Sequence, residues 1–183
     1  MLAAAIYCRG EETGYCSALT RFNHHLPHED DMSKIEDKLA ELGLSLPEHV
    51  PPSGSYLVGY RSGNLIFTSA VGPRTNDSNI TGVMGADCTM EDGYEAARRT
   101  CLRILTNVKS IVGDLDKVTH VVKILGMVQA TPDFNSYAQV VNGCSDLLVA
   151  LYGEAGKHAR SSMGVGRNPF DGVVSIDAVF EVN

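Results

Sequence analysis

The segment GKHARSSMGV, residues 156–165, sets an arginine in the middle of what its alternation reads as a β-strand. Ala159, Met163 and Val165 share one parity, and Arg160, Ser162 and Gly164 share the other. A half-buried strand with a guanidinium among serine and glycine has two physical uses. It can pair with a carboxylate across the sheet, at little energetic gain. It can instead hold a small anion, because the planar guanidinium offers a carboxylate two parallel N–H donors. The partner for the first use is Asp177, and the hydroxyls that would line the second are Ser162 and Ser175. A hairpin through GRNPFDG that keeps Ala159, Met163 and Val165 on the side of Val174, Ile176 and Ala178 needs paired residue numbers with an odd sum. That register sets Arg160 opposite or diagonal to Ser175 and Asp177, and both uses remain open.

The elements that must position these residues follow from the hydrophobic period. Ser33 and Glu36 form a capping box for a short helix with Ile35, Leu39 and Leu42 on one face, ended by Gly43 and Pro47. Two strands, SYLVGYR and NLIFTSAVG, meet at Ser62-Gly63. A long amphipathic helix then buries Ala97, Cys101, Ile104, Leu105, Val108, Ile111 and Val112, with Gly113 closing it. KVTHVVKILGMVQ reads as a central strand. Thr131 and Pro132 are expected to start a second helix whose stripe is Tyr137, Val140 or Val141, Cys144, Leu147, Leu148 and Leu151. A last strand over 173–182 alternates with period two. The order is β-β-α-β-α-β-β in an α/β domain, with two helices on one face of a mixed sheet and the other face covered by another subunit.

A chain of 183 residues, 44% hydrophobic and 20% charged, suits one domain with a real core. The net charge of −7 makes nucleic acid and anionic membranes poor partners. The five cysteines have no zinc-ligand spacing, and Cys101 and Cys144 fall on helix stripes, so buried thiols of a reducing compartment are expected. Residues 1–31 carry no sustained period and are expected to form a leader without fixed structure, with the domain spanning 32–183. Within the leader, His24–Asp31 holds three histidines and three acids, but nothing there fixes ligand geometry, so no metal is expected. The opening MLAAAIYC lacks a basic segment, and Glu11 and Glu12 follow it, which favours the cytoplasm, with an organelle such as the mitochondrion left open.

Three blocks in collinear order carry a resemblance: GSYLVGYRSGNLIFTSAVGP, PDFNSYAQVVNGCSDLL, and GKHARSSMGV with NPFDGVVSIDAVFEV. Together they resemble the RidA (YjgF-type) imine deaminase family, in its longer branch with a short N-terminal helix. The resemblance implies a chorismate-mutase-like fold and a homotrimer whose sheets form a central barrel with clefts between subunits. It also implies cofactor-free hydrolysis of reactive 2-imino or enamino acids to 2-oxo acids and ammonia. By the same resemblance Arg160 grips the substrate carboxylate, Tyr56, Ser69 and Asn142 line the site, and the backbone at Ser162 helps hold the attacking water. Ser175 stands where the family's deaminases carry a glutamate on the final strand, and Asp177 on the same face is the available substitute. The turn reads Asn168-Pro169 where the family has Leu-Pro. Because serine cannot act as a carboxylate base, a second reading is a non-catalytic or chaperone-like protein that binds small 2-oxo acids. A third, RNA cleavage, is disfavoured by the negative charge.

Overall fold

The structure, a computed structural model, describes residues 33–75 and 78–183. The expected leader, the histidine-rich run within it, Cys8 and Cys16 lie outside the described residues. The domain runs α1 (Lys34–Glu41), β1 (Gly59–Ser62), β2 (Leu65–Thr68), α2 (Met90–Val112), β3 (Val118–Gln129), α3 (Tyr137–Tyr152), β4 (Ala159–Val165) and β5 (Val174–Val182). This is the expected order on a mixed five-stranded sheet, β1-β2-β5-β3-β4, with three helices. Within one chain the sheet is open, and β1 and β4 are its edges.

Capping chemistry sets the helix limits. In α2 the Thr89 hydroxyl accepts from Asp92 N at 3.1 Å, and the Asp92 carboxylate accepts from Thr89 N at 3.0 Å. Gly113 closes the helix at φ 82°. The Ser33 hydroxyl accepts from Glu36 N, while Lys34 N and Ile35 N donate to the Asp116 carboxylate, 3.1 Å each. A residue far along the chain therefore completes the α1 cap. The stripes of α2 and α3, with Ile66, Ile124, Ile176 and Phe180 of the sheet, form one buried core, against which Ile111 and Tyr137 pack partly buried. At roughly 1.5–3 kcal/mol for each large apolar side chain, this burial is what holds the helices on the sheet.

The structure departs from the sequence expectations in three places. The helix expected from Thr131 begins at Tyr137, with Ser136 at the N-cap position but no side-chain capping bond. Thr131 N donates to Met84 O, which keeps the chain extended past β3, and Phe134 N closes a turn on Thr131 O. The first two strands are shorter than their apolar runs, so Tyr56 precedes β1 and Ser69 follows β2.

The third departure moves the arginine. β4 and β5 do not form a hairpin. β4 pairs in parallel with β3, the connection that α3 makes possible, and β5 pairs antiparallel with β3 on its other side. An apolar twelve-residue strand satisfies its backbone on both flanks this way, and the loop from Gly166 to Val173 must cross its end. Asn168 secures that crossing: its N–H donates to Gln129 Oε1 at 2.6 Å and its Nδ2 to Met127 O at 3.1 Å. A leucine would keep the backbone bond to Gln129 but could not make the Nδ2 bond to Met127 O, which gives the asparagine of the Asn-Pro turn a structural reason.

Candidate functional site

Register decides which residues share a face. Ile124 of β3 stands between Arg160 and Ala178, Gly126 between Ser162 and Ile176, and Val128 between Gly164 and Val174. Arg160, Ser162 and Gly164 therefore lie on the helix-covered face. Ser175 lines up with Met127, and Asp177 with Leu125, on the opposite face and one strand further in. The expected approach of Arg160 to Ser175 and Asp177 is not made, and no ion pair among the described residues involves Asp177. The small residues of β4 are explained by α3 instead. The Tyr137 ring lies so close to Gly164 that a Cβ there would meet it at 2.6–2.7 Å. The Ser162 hydroxyl is buried with no hydrogen-bond partner.

Arg160 reaches the flank of α3. Its Nη1 donates to Asn142 Oδ1 at 2.8 Å and to Ser145 Oγ at 3.1 Å. Ser145 Oγ lies 3.0 Å from His158 Nε2, and His158 Nδ1 lies 2.6 Å from Gly156 O. A carbonyl only accepts, so Nδ1 carries the proton and Nε2 accepts from the Ser145 hydroxyl. Burial holds the His158 imidazole below its ordinary value; the bond to Gly156 O opposes this, and the Arg160 charge adds to it. The ring is thus neutral, and the chain of donors runs Arg160 to Ser145 to His158 to Gly156. Two of the chosen residues, Arg160 and Asn142, are joined directly. Nε and Nη2 of the guanidinium make no bond among the described residues, and Arg160 is exposed on an edge strand.

The other chosen residues gather elsewhere. A cleft of about 410 Å³ opens beside α2, lined by Tyr56, Ser69, Ser175, Arg74, Arg103 and Phe170 among others. Ser69 fastens its wall: its hydroxyl donates to Leu57 O at 2.6 Å and its N–H to Val58 O at 2.9 Å, which holds the Tyr56 segment. Tyr56 is exposed, and Ser175 is buried in the floor. Asp177 is half-buried, and burial raises its carboxyl above the usual range, with Lys123 partly offsetting this.

Sequence reasoning missed Ser145, His158, Arg74 and Arg103. Ser145 lies one helical turn from Asn142, and His158 lies two residues before Arg160 on the same strand parity, so both could have been found by spacing. Arg103 interrupts the apolar stripe of α2 between Leu102 and Ile104.

The family model described as "YjgF/chorismate_mutase-like, putative endoribonuclease" matches residues 36–181. Protein TCP17 of Trypanosoma cruzi is 35% identical over 152 residues, which are 82% of this chain and 95% of that protein. The crystal structure of Atu1372 from Agrobacterium tumefaciens superposes with a TM-score of 0.76 at 36% identity, over 81% of this chain and 94% of that one. The YjgF gene product of Escherichia coli superposes with a TM-score of 0.51 at 27% identity, over 75% and 97%. No helix among the described residues is long and apolar enough to cross a membrane.

Proposed function

The chain belongs to the YjgF/RidA family, and from that premise we propose that it hydrolyses small 2-imino or enamino acids to 2-oxo acids and ammonia. The observation that carries this is the state of Arg160. Asn142 and Ser145 hold one side of its guanidinium, and its Nε and Nη2 edge is left for a ligand. An arginine fixed on one side and open on the other is shaped for bidentate capture of a carboxylate.

In one chain the Arg160 group on edge strand β4 and the Tyr56–Ser69–Ser175 cleft are apart, with β3 between the strands that carry Arg160 and Ser175. Both serve one substrate only if subunits associate so that β4 of one meets the cleft of the next. The homotrimer of the family pattern is the assembly we propose, working in the cytoplasm. Arg160 takes the substrate carboxylate, and Tyr56 and Asn142 shape its surroundings. The water oxygen attacks the electrophilic C2 of the imine, and a water proton passes to the nitrogen, which gives a tetrahedral carbinolamine. The C–N bond then breaks, the hydroxyl proton leaves with the nitrogen as ammonia, and the carbonyl of the 2-oxo acid remains. The protein fixes the carboxylate and the water by Arg160, the backbone at Ser162, and Ser175, and supplies orientation rather than a cofactor. Ser175 can orient the water but cannot take its proton, so turnover is slow.

The test couples the protein to an amino-acid oxidase that releases the imine and follows imine loss by trapping. Faster loss with the wild type and none with Arg160→Ala supports the proposal. Tight 2-oxo acid binding without faster loss sinks it and leaves a binding protein. RNA cleavage draws no support from the site, since a chain of net charge −7 has little to gather a polyanion.

A further inference from the structure

The cleft that holds Tyr56, Ser69 and Ser175 contains two guanidiniums that its proposed chemistry does not use. Arg74 lies with its Cζ 4.8 Å from the centroid of the Phe170 ring. A ring contact of this kind engages the face of the guanidinium and uses none of its N–H donors. Arg103, half-buried on α2, spends Nη1 on Gly72 O at 2.7 Å. No aspartate or glutamate among the described residues lines this cleft, and no ion pair among them involves either arginine. One turn earlier on α2 the pattern is the opposite: Arg98 and Arg99 both bond Glu95, at 2.7 and 3.0 Å. Glu48 and Glu95 line the adjoining hollow that both arginines also border, yet no ion pair among the described residues joins either arginine to them, and two neighbouring cations left unpaired raise the cost of folding unless something anionic uses them.

The loop that covers Arg74 is itself held in an uncommon conformation. Phe170 and Asp171 are consecutive non-glycine residues with φ of 57° and 56°. Backbone of this kind is unfavourable for residues with a side chain and persists where the surroundings enforce it. Asn79 Nδ2 bonds Phe170 O at 3.1 Å, and Arg167 bonds Asp171 at 2.8 Å, so the ring is kept over the guanidinium although it is largely exposed. Burial, and then the nearby Arg74 charge, push the Arg103 guanidinium below its ordinary value. Both effects are relieved by an anion between the two groups.

We propose that Arg74 and Arg103 bind a second acidic group at the far end of the substrate, so that the preferred substrates are imines of dicarboxylic amino acids and the products are 2-oxo diacids. This rests on the deaminase reading for the near end, where Arg160 of a neighbouring subunit takes the first carboxylate. The cleft volume of about 410 Å³ is large enough for a five-carbon diacid.

The test is isothermal titration of the full-length protein with 2-oxoglutarate and with 2-oxovalerate, which have the same chain length and differ in the terminal carboxylate. The wild type should bind the diacid at least about tenfold more tightly, and Arg74→Gln and Arg103→Gln should each bring that ratio close to one. Arg74→Gln leaves the Gly72 contact in place, so its result stands even if Arg103→Gln folds poorly. Equal affinities in the wild type, or a diacid preference that survives Arg74→Gln, overturns the inference. Arg160→Ala separates it from its premise. If that variant binds 2-oxovalerate as well as the wild type, the reading of Arg160 falls, while a diacid preference that depends on Arg74 keeps the second site.

Discussion

Arg160 Nη1 stands 2.8 Å from Asn142 Oδ1, so the arginine of the edge strand is anchored to a helix and not to another strand. The consequence is a guanidinium with a fixed plane. Arg160→Ala should abolish binding of pyruvate or 2-oxobutyrate, and Arg160→Lys should fail nearly as badly, because an ammonium cannot make the two-pronged contact. Asn142→Ala should weaken binding about three- to tenfold, the effect of losing one charge-assisted hydrogen bond on a partly exposed group. Titration calorimetry reads all three. Undiminished affinity in Arg160→Ala would remove the anion site from β4.

The relay from Arg160 through Ser145 to His158 makes a prediction about pH. The folded value of His158 is depressed, chiefly by burial, so the fold favours the neutral ring. The unfolded chain binds the proton first as pH falls below about 6.5. The contribution is therefore present above that value and is lost as pH falls through the lower, folded value. The urea midpoint should drop between pH 7 and pH 5.5, and His158→Gln should flatten the drop. Protonated His158 would donate from Nε2 to Ser145 and compete with Arg160 for the hydroxyl oxygen. Affinity for 2-oxo acids should weaken over the same window in the wild type and not in His158→Gln. Identical pH profiles for the two proteins would refute the relay.

Gly143 sets how closely α3 approaches α2. A Cβ there would collide with Tyr94 O and would meet Tyr94 C at 2.9 Å and Arg98 N at 3.1 Å. These are backbone atoms, so no rotamer change relieves the overlap, and the helices must separate. Overpacking of this kind costs about 1–3 kcal/mol, or more against backbone, and alanine recovers about 1 kcal/mol of helix propensity. Gly143→Ala should lower Tm by roughly 2–4 °C for each kcal/mol of net cost. Because Asn142 is the adjacent residue, 2-oxo acid affinity should fall with it. A Tm equal to that of the wild type in scanning calorimetry would show that the interhelical gap is slack.

The elements were legible in the sequence because their signals are local. The stripe Ala97, Cys101, Ile104, Leu105 and Val108 needs only the helical period, and it is buried as that period requires. Strand partnership was not legible, because it depends on which neighbour β3 takes on each flank. Alternation along β4 and β5 is equally compatible with a hairpin and with two strands separated by a third, and the parity of Arg160 reverses between them. The anion-holding role proposed for Arg160 does not depend on that parity, whereas its pairing with Ser175 and Asp177 does and is not made. Arg74 and Arg103 escaped notice for a related reason: one lies in a loop and one in a helix, and only the fold brings them to one cleft.

Ser175 is the residue at which the proposed turnover is most directly tested. It is buried in the floor of the cleft, and its hydroxyl has no means of accepting the proton that water must lose. If a carboxylate at this position orients and deprotonates the water, Ser175→Glu should raise the rate constant for imine hydrolysis. A gain of about 10- to 100-fold is reasonable for restoring one positioned acid–base group. Affinity for 2-oxo acids should stay level or fall, since the new charge lies near the bound carboxylate. Asp177→Asn tests the competing assignment, that Asp177 already does this work. Burial raises the folded value of Asp177, so its stabilising contribution is present below its unfolded value and lost as pH rises through the folded one. Asp177→Asn should accordingly raise the urea midpoint at pH 7 while leaving imine hydrolysis intact. Loss of hydrolysis in Asp177→Asn, with no gain from Ser175→Glu, would transfer the role to Asp177. If neither substitution changes the rate while Arg160→Ala abolishes it, the water is oriented by backbone alone, and the serine in place of glutamate carries no kinetic penalty.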